Sequence, residues 1–208
     1  MTAGQPASSL AGKVVVNRAM SLDGFIAGPD DSMDWVFEFA TPDEVPDVMQ
    51  ATGAMLSGRR THEVGERDAG KPSGDAYGGL WHGPVFVLTH RPPAAAPPGV
   101  TFLSGDIEAA VTTARAAAGG KDLEVLGANV TGQCLRAGLV DEIFVLVLPV
   151  LLGRGTPFFT APELARVNLE LVSARQAGLV TAMRYRVAAA DRPADDAIGK
   201  RWPEWARQ

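Results

Sequence analysis

The chain has 208 residues, 46% of them hydrophobic, and a formal net charge of -5. That is enough for one packed domain, and the acidic balance excludes the broad positive field that nucleic acid or an anionic membrane needs, so any basic site must be local. The single cysteine, Cys134, rules out an internal disulfide, and the first residues lack the basic start and apolar run of a secretory leader, which together predict a cytoplasmic setting.

Residues 1–12 read as a small-residue tail, residues 13–189 as the domain, and residues 190–208 as a polar, proline-containing tail or arm. Lys13 to Met20, "KVVVNRAM", is a β-branched run and predicts the first strand. The following "SLDGFIAGPDDSMDW" holds too many turn formers for regular structure, with Phe25 to Ala27 as a short apolar bead. A helix is predicted over Asp43 to Ala51, with Thr41 as cap and Pro42 at its first position. "AMLSG" then predicts a strand that runs into a helix at "RRTHEV".

Residues 66–83 form a glycine-rich loop of a length that is usually functional. "PVFVLTH" and "TFLSG" predict two strands, separated by the stiff "PPAAAPPG". Ile107, Ala110, Val111, Ala114, Ala117 and Ala118 recur at helical spacing, with Asp106 and Glu108 at the start and Gly119-Gly120 as the stop. "LEVLG" predicts a strand, Asn129 to Ala137 a helix, and "EIFVLVLPVL" a long buried strand too short to span a bilayer as a helix. A final pair, "NLELVSARQAG" and "LVTAMRYRVA", predicts two antiparallel strands. Strands alternating with helices predict an α/β layer fold with a mixed, mostly parallel sheet.

In such sheets ligands gather beyond the carboxyl ends of the strands, where helix N-termini offer free amides to anions. Three predicted strand ends carry suitable residues. Gly58-Arg59-Arg60-Thr61 combines close backbone approach with two guanidinium forks and a hydroxyl. Thr89-His90-Arg91 suits an additional monoester phosphate. Leu126-Gly127-Ala128-Asn129 is a strand, a small-residue turn and a helix start. Taken singly, each also reads as an ordinary capped helix or polar strand end; the succession of three shifts the balance. Neither the phosphate-loop pattern nor the dinucleotide glycine fingerprint is present.

Read in order, "MSLDGFIAG", "LSGRRTHE", "PVFVLTHRP", "LGANVTGQCLRAGLVDEI" and "PVLLGRGTPFF" resemble the dihydrofolate reductase superfamily, in the branch of the C-terminal reductase domain of the riboflavin-biosynthesis deaminase/reductase. The resemblance spans Val14 to Val187. It implies a single dihydrofolate-reductase-like domain, NADPH as hydride donor, and a pterin-, pyrimidine- (5-amino-6-ribosylaminouracil phosphate-like) or flavin-related heterocycle as small-molecule partner. On that likeness Ala19 and Met20, with Ile26 nearby, face the nicotinamide, and Gly58, Arg59, Arg60 and Thr61 take phosphates. Leu88, Thr89, His90 and Arg91 surround the adenosine end, and Gly127, Ala128, Asn129 and Val130 take the pyrophosphate, with Gln133 behind them.

Two departures follow. The family pattern has two glycines where this chain has Leu126-Gly127, so the peptide either keeps the cis bond of dihydrofolate reductases or relaxes to trans with weaker pyrophosphate binding. No residue matches the folate-holding carboxylate well: Asp23 and Asp34 are the candidate catalytic acids, with Asp43, Glu44 and water as alternatives. Trp35, Phe37 and Phe39 are candidates for a flat aromatic pocket or for core. His62, His82 and His90 are too scattered to predict a metal site, and Cys134 reads as an inert small hydrophobe. Trp202 and Trp205 suggest either an arm across a second copy of the chain, and so a homodimer, or a disordered appendage. Two other readings remain open: a nucleotide- or flavin-binding module without turnover, and a structural partner docking through the tail.

Overall fold

The computed structural model describes residues 12–39 and 43–188. The tails at 1–11 and 189–208, with Trp202 and Trp205, and the expected cap Thr41 and Pro42 lie outside the described residues.

The chain runs through β1 (Val14–Ser21), β2 (Phe25–Ala27), α1 (Glu44–Ala51), β3 (Thr52–Gly58), α2 (Arg59–Arg67), β4 (Val85–Leu88), β5 (Val100–Leu103), α3 (Ile107–Ala117), β6 (Asp122–Val125), α4 (Ala128–Arg136), β7 (Glu142–Leu148), β8 (Thr156–Pro157), β9 (Leu169–Ala177) and β10 (Val180–Val187). Eight strands form one sheet in the order β5-β4-β3-β6-β1-β7-β10-β9. The first six are mutually parallel, and β10 and β9 close the sheet antiparallel. β-branched and apolar runs favour the pleat, and the α-helical connections bring the strands back in parallel. The mixed, mostly parallel α/β fold is the one the sequence predicts.

One face of the sheet packs α3 and α4 onto Val14, Val16, Ala54, Leu56, Leu123 and Val125. The opposite face carries a smaller cluster of Val48 from α1 with Phe144, Leu146 and Ala182, joined by Tyr77 from the loop. β7 stops at Leu148, ahead of Pro149, which has no amide to donate to a ladder.

Two stretches are more ordered than their composition predicts. The bead Phe25 to Ala27 is a strand, paired antiparallel with Thr156 and Pro157 in a two-stranded sheet. Residues 68–84 contain a 3-10 turn at Ala76–Gly79, and Trp81 Nε1 ties the loop to the Thr52 carbonyl at 3.0 Å.

The ladder decides where the molecule opens. β1 pairs with β6 only at Val14 and Val15, whereas its pairing with β7 runs on to Ser21. After Val125 the chain turns towards β3, Leu126 N–H donating to the Leu56 carbonyl at 2.7 Å. A gap therefore forms between β1 and β6 at the carboxyl edge of the sheet.

Candidate functional site

That gap belongs to a cleft of about 1470 Å³. Pockets that enclose a drug-sized ligand measure roughly 300–1,000 Å³, so this one has room for a longer molecule. The parallel neighbours β4, β3 and β6 deliver their carboxyl ends to it side by side. Gly58, Arg59, Arg60, Thr61, Leu88, Thr89, His90, Arg91, Gly127, Ala128, Asn129, Val130 and Gln133 all line it, as do Ala19 and Ile26 further along. Met20 does not.

Two helix N-termini meet at these tips. α2 starts after Gly58 and α4 after Gly127; neither has a side-chain cap or an acidic residue in its first turn. Asn129, expected as cap or first residue, lies one residue inside α4, with Gln133 Nε2 donating to its Oδ1 at 2.7 Å. Gly127 has φ 85° and ψ 146°, a conformation open to glycine alone. A Cβ there would stand 2.3 Å from Thr61 Oγ1, so the start of α4 is pressed against the first turn of α2. The Leu126–Gly127 peptide is trans, like all others among the described residues, so the retained cis bond is not the outcome.

Ion pairs hold the arginines at the rim. Arg59 reaches Glu63 one turn along at 2.7 Å, and Arg60 Nε reaches Asp31 at 2.8 Å. Asp31 also accepts from Thr156 Oγ1, and Arg67 donates to the Asp30 carbonyl. The loop at Pro29–Asp31 is thereby tied to α2 and β8. Both arginine side chains are more than half exposed and their pairs are of the weak surface type, so an incoming anion can displace them.

The candidate acids lie elsewhere. Asp23 is exposed at a turn outside the cleft lining, where it accepts from Ser21 Oγ and from the amides of Leu152 and Gly153. The Ser21 hydroxyl and those amides hold its carboxyl below the usual range, and a group kept ionised has no proton to give. Asp34 is exposed, accepts from Ser73 Oγ at 3.0 Å and does not line the cleft. Asp43 is exposed at the start of α1, also outside the lining. Of the aromatic trio Phe37 and Phe39 line the cleft and Trp35 does not; His62 and His90 line it, whereas His82 does not. Cys134 is fully buried in the core, and burial pushes its thiol up to about 12.

Asn17, Arg18, Tyr77 and Glu124 also line the cleft, and sequence reasoning did not single them out. Glu124 is 4% exposed and accepts from Tyr77 Oη at 2.6 Å and Thr52 Oγ1 at 3.1 Å. The readable signal was an acid set between the apolar Leu123 and Val125 of the predicted strand "LEVLG", since glutamate is almost never fully buried without a partner.

Among the described residues no helix is long and apolar enough to cross a membrane. The chain is 29% identical over 177 residues to the uncharacterized protein YwjB of Bacillus subtilis (strain 168), covering 83% of this chain and 97% of that one. Its fold matches a protein of Shewanella sp. PV-4 provisionally assigned to riboflavin biosynthesis, with a TM-score of 0.70, 24% identity and coverage of 85% and 99%. It also matches the riboflavin biosynthesis reductase Rib7 of Saccharomyces cerevisiae, with a TM-score of 0.55, 16% identity and coverage of 88% and 93%. A dihydrofolate reductase from Enterococcus faecalis, complexed with NADP(H), gives 0.54, 15%, 86% and 98%. Residues 12–182 match the model of the RibD C-terminal domain, and the chain belongs to that family.

Proposed function

We propose that the protein is an NADPH-dependent reductase of a pyrimidine-, pterin- or flavin-related heterocycle. The observation that carries this reading is the meeting of three parallel strand ends, with two uncapped helix N-termini among them, on one cleft. Free amides and the positive end of each helix dipole favour an anion, and the close contact of Thr61 with Gly127 leaves no side chain in the way. A dinucleotide needs several such positions in a row.

In this reading Gly127, Ala128, Asn129 and Val130 hold the pyrophosphate with Gln133 behind them, and Gly58, Arg59, Arg60 and Thr61 add charge and a hydroxyl. Leu88, Thr89, His90 and Arg91 take the adenosine end, where Arg91 supplies the cation that a 2′-phosphate requires. Ala19 and Ile26 leave a flat apolar surface for the nicotinamide. Bound NADPH supplies the hydride; the chain orients the two rings, excludes water and provides charge. The domain limits 13–189, a cytoplasmic setting and a homodimer belong to the same reading.

A thermal-shift comparison tests it. A ligand that binds only the native state raises Tm by mass action, so NADPH should stabilise more than NADH or flavin mononucleotide. Equal, negligible shifts with all three would contradict it. NADPH oxidation with 5-amino-6-ribosylaminouracil phosphate, dihydropterin or flavin mononucleotide then separates a reductase from a module that binds without turnover.

A further inference from the structure

The inner end of the cleft holds a polar cluster that cofactor binding does not require. Glu124 stands on β6 where β1 and β6 part. From β3 Thr52 Oγ1 reaches it, and from the loop Tyr77 Oη. β1 contributes Asn17, whose Nδ2 is buried without a hydrogen bond, and Arg18. Arg18 does not close an ion pair of hydrogen-bond length: its guanidinium donates to the carbonyls of Asn17 and Val125 and stays 4.0 Å from the carboxyl. Glu124 is therefore a buried carboxyl at the cleft wall, held by the hydroxyls of Tyr77 and Thr52 and by no ion pair of hydrogen-bond length. Burial pushes its pKa up and outweighs Tyr77 and Arg18, which pull it down.

Tyr77 is placed with care. It adopts φ 52° and ψ 37°, and Gly78 and Gly79 after it are also left-handed. Such a conformation is strained for a non-glycine residue and lasts only where the surroundings enforce it. Here the ring packs with Val48, Phe144, Leu146 and Ala182, and the hydroxyl is fixed on Glu124. The other carboxylates lining the cleft differ: Asp30, Glu66 and Asp75 are exposed, and Asp31 is engaged by Arg60 and Thr156.

Building on the reductase reading, we propose that Tyr77 and Glu124 are the proton source of the reduction, Tyr77 as the catalytic acid that touches the substrate and Glu124 as the group that reloads it. The substrate class is a ring bearing a C=N bond whose nitrogen faces Tyr77. When the hydride from the nicotinamide joins the carbon, the π pair moves to nitrogen. In the loaded state the Glu124 carboxyl holds its proton on the 2.6 Å contact to Tyr77 Oη, which leaves the phenol hydrogen for the substrate; the Tyr77 O–H bond breaks as N–H forms, and the Glu124 proton passes along that contact to restore the phenol. The carboxylate left behind sits 4.0 Å from the Arg18 guanidinium and regains its proton from solvent after product leaves.

The test has two arms. Infrared difference spectra of the full chain without ligand should show a protonated-carboxyl C=O band at neutral pH that Glu124→Gln removes and Tyr77→Phe shifts. With NADPH and 5-amino-6-ribosylaminouracil phosphate, whose ribosylamino group presents the C=N bond when its sugar ring opens, Tyr77→Phe and Glu124→Gln should each slow C=N reduction by at least ~100-fold, the usual scale of a positioned acid, while NADPH affinity stays unchanged. The wild-type rate should fall as pH rises through the Glu124 pKa, and Glu124→Gln should flatten that limb. An ionised Glu124 at neutral pH, or either variant keeping the wild-type rate and pH profile, overturns the assignment even if NADPH binds. Absence of NADPH binding overturns the underlying reductase reading even if the band is there.

Discussion

Three helices start at the carboxyl edge of the same sheet, and they treat their first turns in opposite ways. α3 is closed: Asp106 Oδ1 accepts from the Ala109 amide at 2.8 Å, and Glu108 adds a negative charge in the first turn. α2 and α4 begin with glycine, have no side-chain cap and carry no acid in the first turn. The backbone chemistry is the same in all three, four unpaired amides at the positive end of a dipole. α3 satisfies that demand from its own sequence, as a helix does when stability is its only task. α2 and α4 leave it to something else, and they do so together, against one cleft.

The contrast can be broken most severely at the junction of the open pair. Gly127→Ala forces a Cβ against Thr61 Oγ1 in a backbone conformation that alanine avoids. It should weaken NADPH on the order of 100-fold, about 2.7 kcal/mol, as read by calorimetric titration. Gly138→Ala is the matched control: it is also left-handed, at φ 67°, but lies outside the cleft lining, so it should lower stability and leave NADPH affinity alone. Gly58→Asp would give α2 the kind of cap α3 has. Its carboxylate should oppose the phosphates and raise the NADPH Kd by roughly tenfold or more, about 1.4 kcal/mol, while its Cβ, 3.2 Å from Val130 Cγ2, must displace that side chain slightly.

Removing Arg59 and Arg60 together as alanines should raise the same Kd at least about tenfold, and an unchanged value would free both from the phosphate assignment. The smallest expected effect on binding comes from making α3 resemble α2. Asp106→Ala should cost about 1 kcal/mol of stability in chemical denaturation and leave NADPH affinity as it was.

Much of this arrangement was legible in the sequence because its signals are local. Asp106, the spacing of Ala110, Val111 and Ala114, and Gly119-Gly120 mark both ends of α3 within fifteen residues. Gly58-Arg59 and Gly127-Ala128 mark strand-to-helix turns in the same way. What escaped depends on pairs far apart in the chain. Tyr77 and Glu124 are 47 residues apart and meet only because a loop crosses the opposite face of the sheet. Asp31 meets Arg60 across 29 residues and Thr156 across 125. Asp23 read as an acid in an Asp-Gly turn, yet its oxygens are taken by amides 129 and 130 residues away. β2 was missed as a strand for a related reason: three residues carry too little pattern, and the partner that defines them is Thr156–Pro157.

The central claim is that the bare first turns of α2 and α4, with the end of β4 beside them, form one polyanion site. Equilibrium titration of the wild-type protein with NADPH at low and high salt tests it most directly. The account predicts saturable binding of one NADPH per chain that weakens as salt rises, because exposed charges are screened. Failure to reach saturable binding below ~1 mM, a free energy weaker than about 4 kcal/mol, would contradict it.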